Sequence, residues 1–185
     1  LLAALTFHEA SHALIAKRLG DRTAERLGRV SLDPRRHLDP AGTMLFLAAG
    51  FGWGKPVPVN PNLLRGNPRT GMSLVAFAGP VSNIVAAFLV GLLFRSGVLP
   101  AAEVGAFSLG SGLSLLASLA FLVILFNLIL AVFNLLPVWP LDGFNVALGL
   151  LPVESARGLL RIRQYGPMIL LGTIFVDLFL GVGIL

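Results

Sequence analysis

Two apolar runs, Gly71 to Phe94 and Leu113 to Leu136, contain no charged residue, and each exceeds the ~20 residues an α-helix needs to cross a bilayer. A third, Pro167 to Leu185, closes the chain. At 56% hydrophobic and 12% charged residues, the 185-residue chain is far more apolar than a soluble domain. Its mean hydropathy is +0.86. Backbone polar groups at membrane depth must be bonded internally, so the expected fold is all-α and polytopic, a single membrane-embedded domain over 1–185. Leu1 to Leu19 is also apolar but barely reaches spanning length. We read Leu1 to Phe7 as the tail of a longer first span, with native sequence upstream, which makes about four spanning helices. This start is not a signal peptide: no cleavage site follows, and the basic residues come after the apolar run.

Between the spans the chain is more irregular. The first helix is expected to end near Leu19-Gly20-Asp21, with Gly20 as its C-cap. A polar loop with a short strand around Arg29 to Leu32 follows. Ala41 to Phe51 is apolar but too short to span, and basic residues flank both of its ends. A segment that enters and leaves by one face is re-entrant, and that is the expectation here. Gly52 to Pro61 alternates Pro and Val, which reads as extended backbone; its prolines confine such a strand to a sheet edge. Irregular backbone at membrane depth implies a polar cavity beside it. Threaded this way, the chain leaves Arg95 alone on one side and every other Lys and Arg on the opposite, cytoplasmic side. The net charge of +5 is thus a topology signal, and no nucleic-acid partner is implied. With no cysteine, disulfides, thiolate metal sites and cysteine nucleophiles are excluded.

The chemistry resides in His8-Glu9-Ala10-Ser11-His12. Residues four apart share a helix face, so His8 and His12 can present imidazoles to one metal ion while Glu9 lies beside a water molecule there. The plain alternative is two histidines capping the end of an ordinary helix. Ionisable side chains inside an apolar helix are costly, however, and mark functional sites. A catalytic zinc takes three protein ligands. Candidates for the third are Asp33, His37, Asp39, Asp142, Glu154 and Asp177, and Asp142 is favoured because it follows a Pro-rich turn at the end of a span. Its competing role is to cap a helix from Gly143 to Leu151. On the threading above, the HEASH helix and the helix leading to Asp142 run toward the same face. Asn127 and Asn134, seven apart, share a face turned to the bundle interior. Interhelical hydrogen bonding suffices for Asn127, whereas Asn134 is placed to donate to an oxyanion or to substrate backbone.

HEASHALIAKRLGD, GRVSLDPRRHLDP, GKPVPVNP, GPVSN and NLLPVWPLDG, in this order, resemble the motifs of the site-2 protease family of intramembrane zinc metalloproteases in its minimal form, without PDZ or CBS domains. The resemblance covers Phe7 to Gly143. It implies one zinc ion per chain held by His8, His12 and Asp142, with Glu9 as catalytic base and Asn134 near the site. It also implies that Gly54, Lys55, Pro56, Val57, Pro58, Val59 and Asn60 form a re-entrant β-loop that contacts substrate. For Asn83, packing and substrate contact are equally open. The implied activity is cleavage of transmembrane segments of membrane-protein substrates in a prokaryotic cell membrane. The alternatives are a membrane zinc transporter and an inactive protease-like scaffold. Trp139, Phe144 and Asp33 depart from the family pattern, and the first two are expected to reshape substrate access. His37 reads as structural, and Asp177 as paired with a donor in the bundle.

Overall fold

The structure is a computed structural model that describes residues 1–49, 53–100 and 112–180. Gly52, most of the loop from Arg95 to Gly112, and the side chain of Asp177 lie outside the described residues. The described chain is mostly helical: α1 (Leu2–Arg18), α2 (Thr23–Arg26), α3 (Pro40–Ala49), α4 (Pro68–Arg95), α5 (Gly112–Asn134), α6 (Asp142–Leu150), α7 (Val153–Ile162) and α8 (Gly166–Leu180). Among these, α4 and α5 are long and apolar enough to cross a membrane. The helices α1, of 17 residues, and α8, of 15, fall short of the usual ~20 over the described range.

Local chemistry sets the helix ends. Helix α1 stops where Gly20 adopts φ 115°, a conformation open to glycine. The Gly20 and Asp21 amides then bond back to the Lys17 and Ala16 carbonyls, satisfying groups that would otherwise be orphaned. Helix α4 starts at Asn67-Pro68: the Asn67 side chain accepts from the Arg69 amide, and proline takes the first helical position, where no N–H is needed. Asp39 likewise accepts the Gly42 amide at the start of α3.

Helix α4 is the hub, packed along α1, α5 and α6. Its buried residues are mostly small or polar: Gly71, Ser73, Val75, Ala76, Gly79, Pro80, Asn83 and Ala87. Its large apolar residues Leu74, Phe77, Ile84, Phe88 and Leu89 face outward. Helix α5 repeats the pattern, burying Ala117, Ser118, Asn127 and Ala131 while exposing Leu116, Leu128 and Ile129. Lipid gives helices no hydrophobic reason to associate, so close backbone approach and interhelical hydrogen bonds must hold them together. At Gly149 an added Cβ would lie 2.2 Å from the Ser73 Cβ, a measure of how closely α6 approaches α4.

Two sequence expectations change here. No strand occurs among the described residues. Arg29 to Leu32 is irregular, and the extended segment after residue 52 makes one antiparallel bridge, Leu38 with Gly54. Side chains take over the work of a strand partner. Arg29, 4% exposed, donates to the carbonyls of Arg36 and Lys55, and the Lys55 amide donates to the His37 carbonyl at 2.8 Å. At the other end, the fully buried Asp21 accepts the Asn60 amide at 2.6 Å and the Thr23 amide at 2.9 Å. The segment is therefore held extended by one buried cation and one buried anion.

Burial acts to raise the Asp21 pKa, but hydrogen bonds from Thr23 and Asn60 and the nearby Arg26 charge outweigh it, so the carboxyl titrates below its ordinary 3.8. A depressed carboxylate pKa stabilises the fold above the unfolded value, and that stability is lost as pH falls through the folded value. Asp21→Asn is expected to lower the melting temperature at pH 7 and expose residues 55–60 to limited proteolysis. In melts taken down a pH series, the gap from wild type should narrow below about pH 4.

Candidate metal centre

Helix α1 carries His8 and His12 one turn apart, 3% and 7% exposed, with ring centroids 4.6 Å apart and planes nearly perpendicular at 89°. The third group comes from the turn after α5. The chain leaves α5 at Asn134, crosses Pro137 and Pro140, and starts α6 at Asp142. Leu141 occupies the N-cap position and no side chain caps this helix. The Asp142 carboxylate is thereby free to face α1: Oδ2 lies 2.9 Å from His8 Nε2 and 3.1 Å from His12 Nε2. One ligand atom from each residue falls within a 4.8 Å cluster. At Gly143, an added Cβ would lie 2.2 Å from the Leu135 carbonyl oxygen, so only glycine lets the Asp142 turn close against the end of α5.

The donor set fits a metal ion. His12 Nδ1 lies 2.7 Å from the Val75 carbonyl oxygen, which can only accept, so the ring carries its proton on Nδ1. A neutral ring so held turns its Nε2 lone pair toward the buried Asp142 Oδ2, 3.1 Å away. Converging lone pairs in an apolar site call for a cation between them. Two imidazoles and one carboxylate are a zinc donor set that leaves a coordination position open. Gly79 of α4 makes room for the rings: a Cβ there would lie 2.5 Å from His12 Cε1 and 2.6 Å from His8 Cε1. Gly79 belongs to the GPVSN stretch, and nothing local to that stretch says which side chains its bare backbone will meet.

A cavity of ≈ 510 Å³ opens beside the cluster, lined by His8, Glu9, Thr43, Trp53, Gly54, Pro56, Asn134 and Leu141, with leucines of α1 and α8 completing an apolar wall. Glu9 and Asn134 therefore share one chamber with the first imidazole. Asn134 donates one amide hydrogen to the Leu130 carbonyl at 3.0 Å, and its amide nitrogen carries a second. Of the seven residues from Gly54 to Asn60, Gly54 and Pro56 line this cavity. Val59 instead packs on the Ala16, Leu64 and Val75 cluster, and Asn60 is an anchor point. Lys55, Val57 and Pro58 lie outside the lining.

Asn83 is 0% exposed and bonds within the bundle, so it does not face the cavity. Asn127 is interhelical, as expected, accepting from Asn83 at 2.8 Å. His37, 1% exposed, donates from Nε2 to the Ser31 carbonyl at 2.8 Å, a structural role. Trp139 and Phe144 are not among the residues that line the cavity. Phe144 is buried, and Trp139 lies under the Arg163 guanidinium at 5.1 Å while its backbone packs against Gly166 of α8. Asp33 accepts the Arg35 amide at 3.1 Å, as an asparagine could. Asp21 and Arg29, which position the extended segment, escaped sequence reading because an anchor to distant backbone leaves no local pattern.

A helix bearing two histidines a turn apart with a glutamate beside the first, closed by an aspartate from a second helix inside an apolar bundle, defines a membrane metallopeptidase. The chain belongs to peptidase family M50, whose model matches residues 1–176. It is 40% identical over 175 residues to "Putative zinc metalloprotease YwhC" of Bacillus subtilis, covering 92% of this chain and 76% of that protein. The similarly named Rip2 of Mycobacterium tuberculosis is 35% identical over 92% of this chain, and that of Mycolicibacterium smegmatis 30% over 91%. The chain spans 62% of each Rip2 protein. No solved structure matches it significantly.

The Gly79 contact gives a direct test. Gly79→Ala is expected to push both imidazoles off the Asp142 carboxylate, lowering the zinc content of purified protein at least ~10-fold, whereas Gly91→Ala, with open space around it, should leave zinc content unchanged.

Proposed function

We propose that the chain is a zinc-dependent intramembrane endopeptidase that hydrolyses peptide bonds in transmembrane segments of membrane proteins. The observation that carries this reading is the His8, His12 and Asp142 cluster opening onto the apolar cavity that Glu9 and Asn134 line. The chemistry a zinc ion brings to such a site is Lewis acidity toward water and a carbonyl oxygen. Glu9 takes the proton of the attacking water as the new C–O bond forms, then returns it to the amine nitrogen as the C–N bond breaks. Asn134 donates its second amide hydrogen to the carbonyl oxygen as negative charge develops there. The apolar walls exclude bulk water and accept the side chains of a membrane segment.

A helical substrate hides its carbonyls in internal hydrogen bonds, so it must unwind before attack. The segment from Gly54 to Asn60 is suited to receive it: Gly54 and Pro56 line the cavity, and between its two anchors only Val57 and Val59 have amide hydrogens to offer a paired strand. In this reading α1 and α8 join α4 and α5 as spans. Helix α3 with the extended segment is then the re-entrant hairpin, supported by the Leu38 to Gly54 bridge between its ends. The basic loops and the active-site motifs lie toward the cytoplasmic face of a prokaryotic cell membrane.

A zinc transporter is the competing reading, but His8, His12 and Asp142 form one closed cluster, and the remaining histidine, His37, is bonded to backbone away from it. Glu9→Gln separates the readings. The expected result in liposomes is loss of cleavage of a single-span substrate by at least ~10²-fold with zinc content retained. Cleavage should also favour spans carrying Gly, Pro or Asn near the scissile bond over uniform polyleucine. Zinc flux through the wild type, altered by the variant, without cleavage would instead identify a transporter, and zinc binding with neither cleavage nor flux an inactive scaffold.

A further inference from the structure

We propose that Asn83 is a positioning residue for His8: it locks the imidazole in the tautomer that turns Nε2 toward the metal, and it makes no contact with substrate. The argument rests on groups whose hydrogen-bonding roles are fixed. The Ala4 carbonyl can only accept, and Asn83 Nδ2 lies 2.9 Å from its oxygen. That nitrogen is also 2.8 Å from Asn127 Oδ1. The Asn127 amide is oriented in turn, because its Nδ2 lies 2.8 Å from the Val123 carbonyl oxygen. Each end of the network therefore rests on a backbone carbonyl, one in α1 and one in α5, and neither amide can flip without setting oxygen against oxygen.

One position remains for the Asn83 amide oxygen, and it faces His8 Nδ1 at 2.7 Å. The oxygen accepts, so the neutral His8 ring, the form that can ligate a metal, carries its proton on Nδ1 and directs its Nε2 lone pair at Asp142 Oδ2, 2.9 Å away. His12 reaches the same state through the Val75 carbonyl. Both histidines are thus held from α4, one by backbone and one by a side chain, and the side chain is the replaceable one. Partners of this kind orient a ligating imidazole and raise its basicity, and their loss costs about 10–100-fold in metal affinity.

The proposal rests on His8, His12 and Asp142 being the zinc ligands, and a wild type that binds no zinc would overturn that underlying reading instead. The test compares Asn83→Ala with Asn127→Ala in purified detergent-solubilised protein, using zinc affinity from chelator competition and the melting temperature with and without zinc. Asn127→Ala removes an interhelical bond from the same network but leaves Asn83 tied to Ala4 and His8. Asn83→Ala should weaken zinc binding 10–100-fold and shrink the zinc-induced rise in melting temperature, while Asn127→Ala should lower both melting curves and keep that rise. Equal zinc affinity in all three proteins, or an equal loss in both variants, would mean that Asn83 serves packing alone. If Asn83→Ala does not fold, nitrogen NMR of the wild type decides. With three histidines in the chain, zinc-loaded protein should show Nδ1–H on His8 and His12 and Nε2–H on His37. A proton on His8 Nε2 would overturn the proposal.

Discussion

Two imidazole nitrogens and a carboxylate oxygen converge within an apolar helix bundle, and the rest of the structure is organised around making that tolerable. Ionisable groups in a low-dielectric setting are costly unless each is bonded and oriented. Here the burden falls on α4. Its Val75 carbonyl holds one imidazole, its Asn83 amide the other, and the bare backbone at Gly79 receives both rings. Asp142 arrives from α6, which α4 also packs. A single helix thus packs against both elements that carry the three groups, while Gly143 closes the Asp142 turn on the end of α5.

The inside-out character of the bundle follows from the same constraint. A helix that must approach its neighbours closely enough to hold their imidazoles cannot carry large side chains on that face, so glycine, serine and alanine line it and the leucines and phenylalanines turn outward. In water such an arrangement would aggregate; in lipid it is the ordinary solution. Small residues at the interface and apolar bulk outside are therefore one requirement seen from two sides.

Much of this was legible in the sequence because it has a period or a motif. The apolar runs announced α4 and α5, the four-residue spacing of His8 and His12 announced a shared face, and Gly20 announced the end of α1. Asp142 was legible only through its setting, a Pro-rich turn after a span. What could not be read depends on distances between remote residues. Val59 was expected in a strand that meets substrate, yet its side chain packs on Ala16, Leu64 and Val75. Asn83 was open between packing and substrate contact because a lone asparagine on a helix does not say which histidine it will meet. Arg29 reads as the start of a short strand in a polar loop, although its guanidinium is buried against backbone carbonyls.

The metal cluster and the extended segment, although they share one cavity, are supported by different parts of the molecule. The cluster is held by α4 from within the bundle; the segment is held by Arg29 and Asp21 from the polar loop that follows α1. The two supports meet at α1 itself, whose middle carries His8 and His12 and whose C-terminal turn leads directly into Asp21. The Arg65 amide also bonds the Leu19 carbonyl, tying the chain beyond the segment back to the same helix end. A displacement of α1 along its axis would therefore move the imidazoles and the far anchor of the segment together, preserving their relation to each other while changing their relation to Asp142. Helix α4 carries that relation: its Gly79 receives the rings of α1, its Ser73 meets Gly149 of α6, and Gly143 closes the start of α6 on the end of α5, so α1 and α6 are coupled through α4.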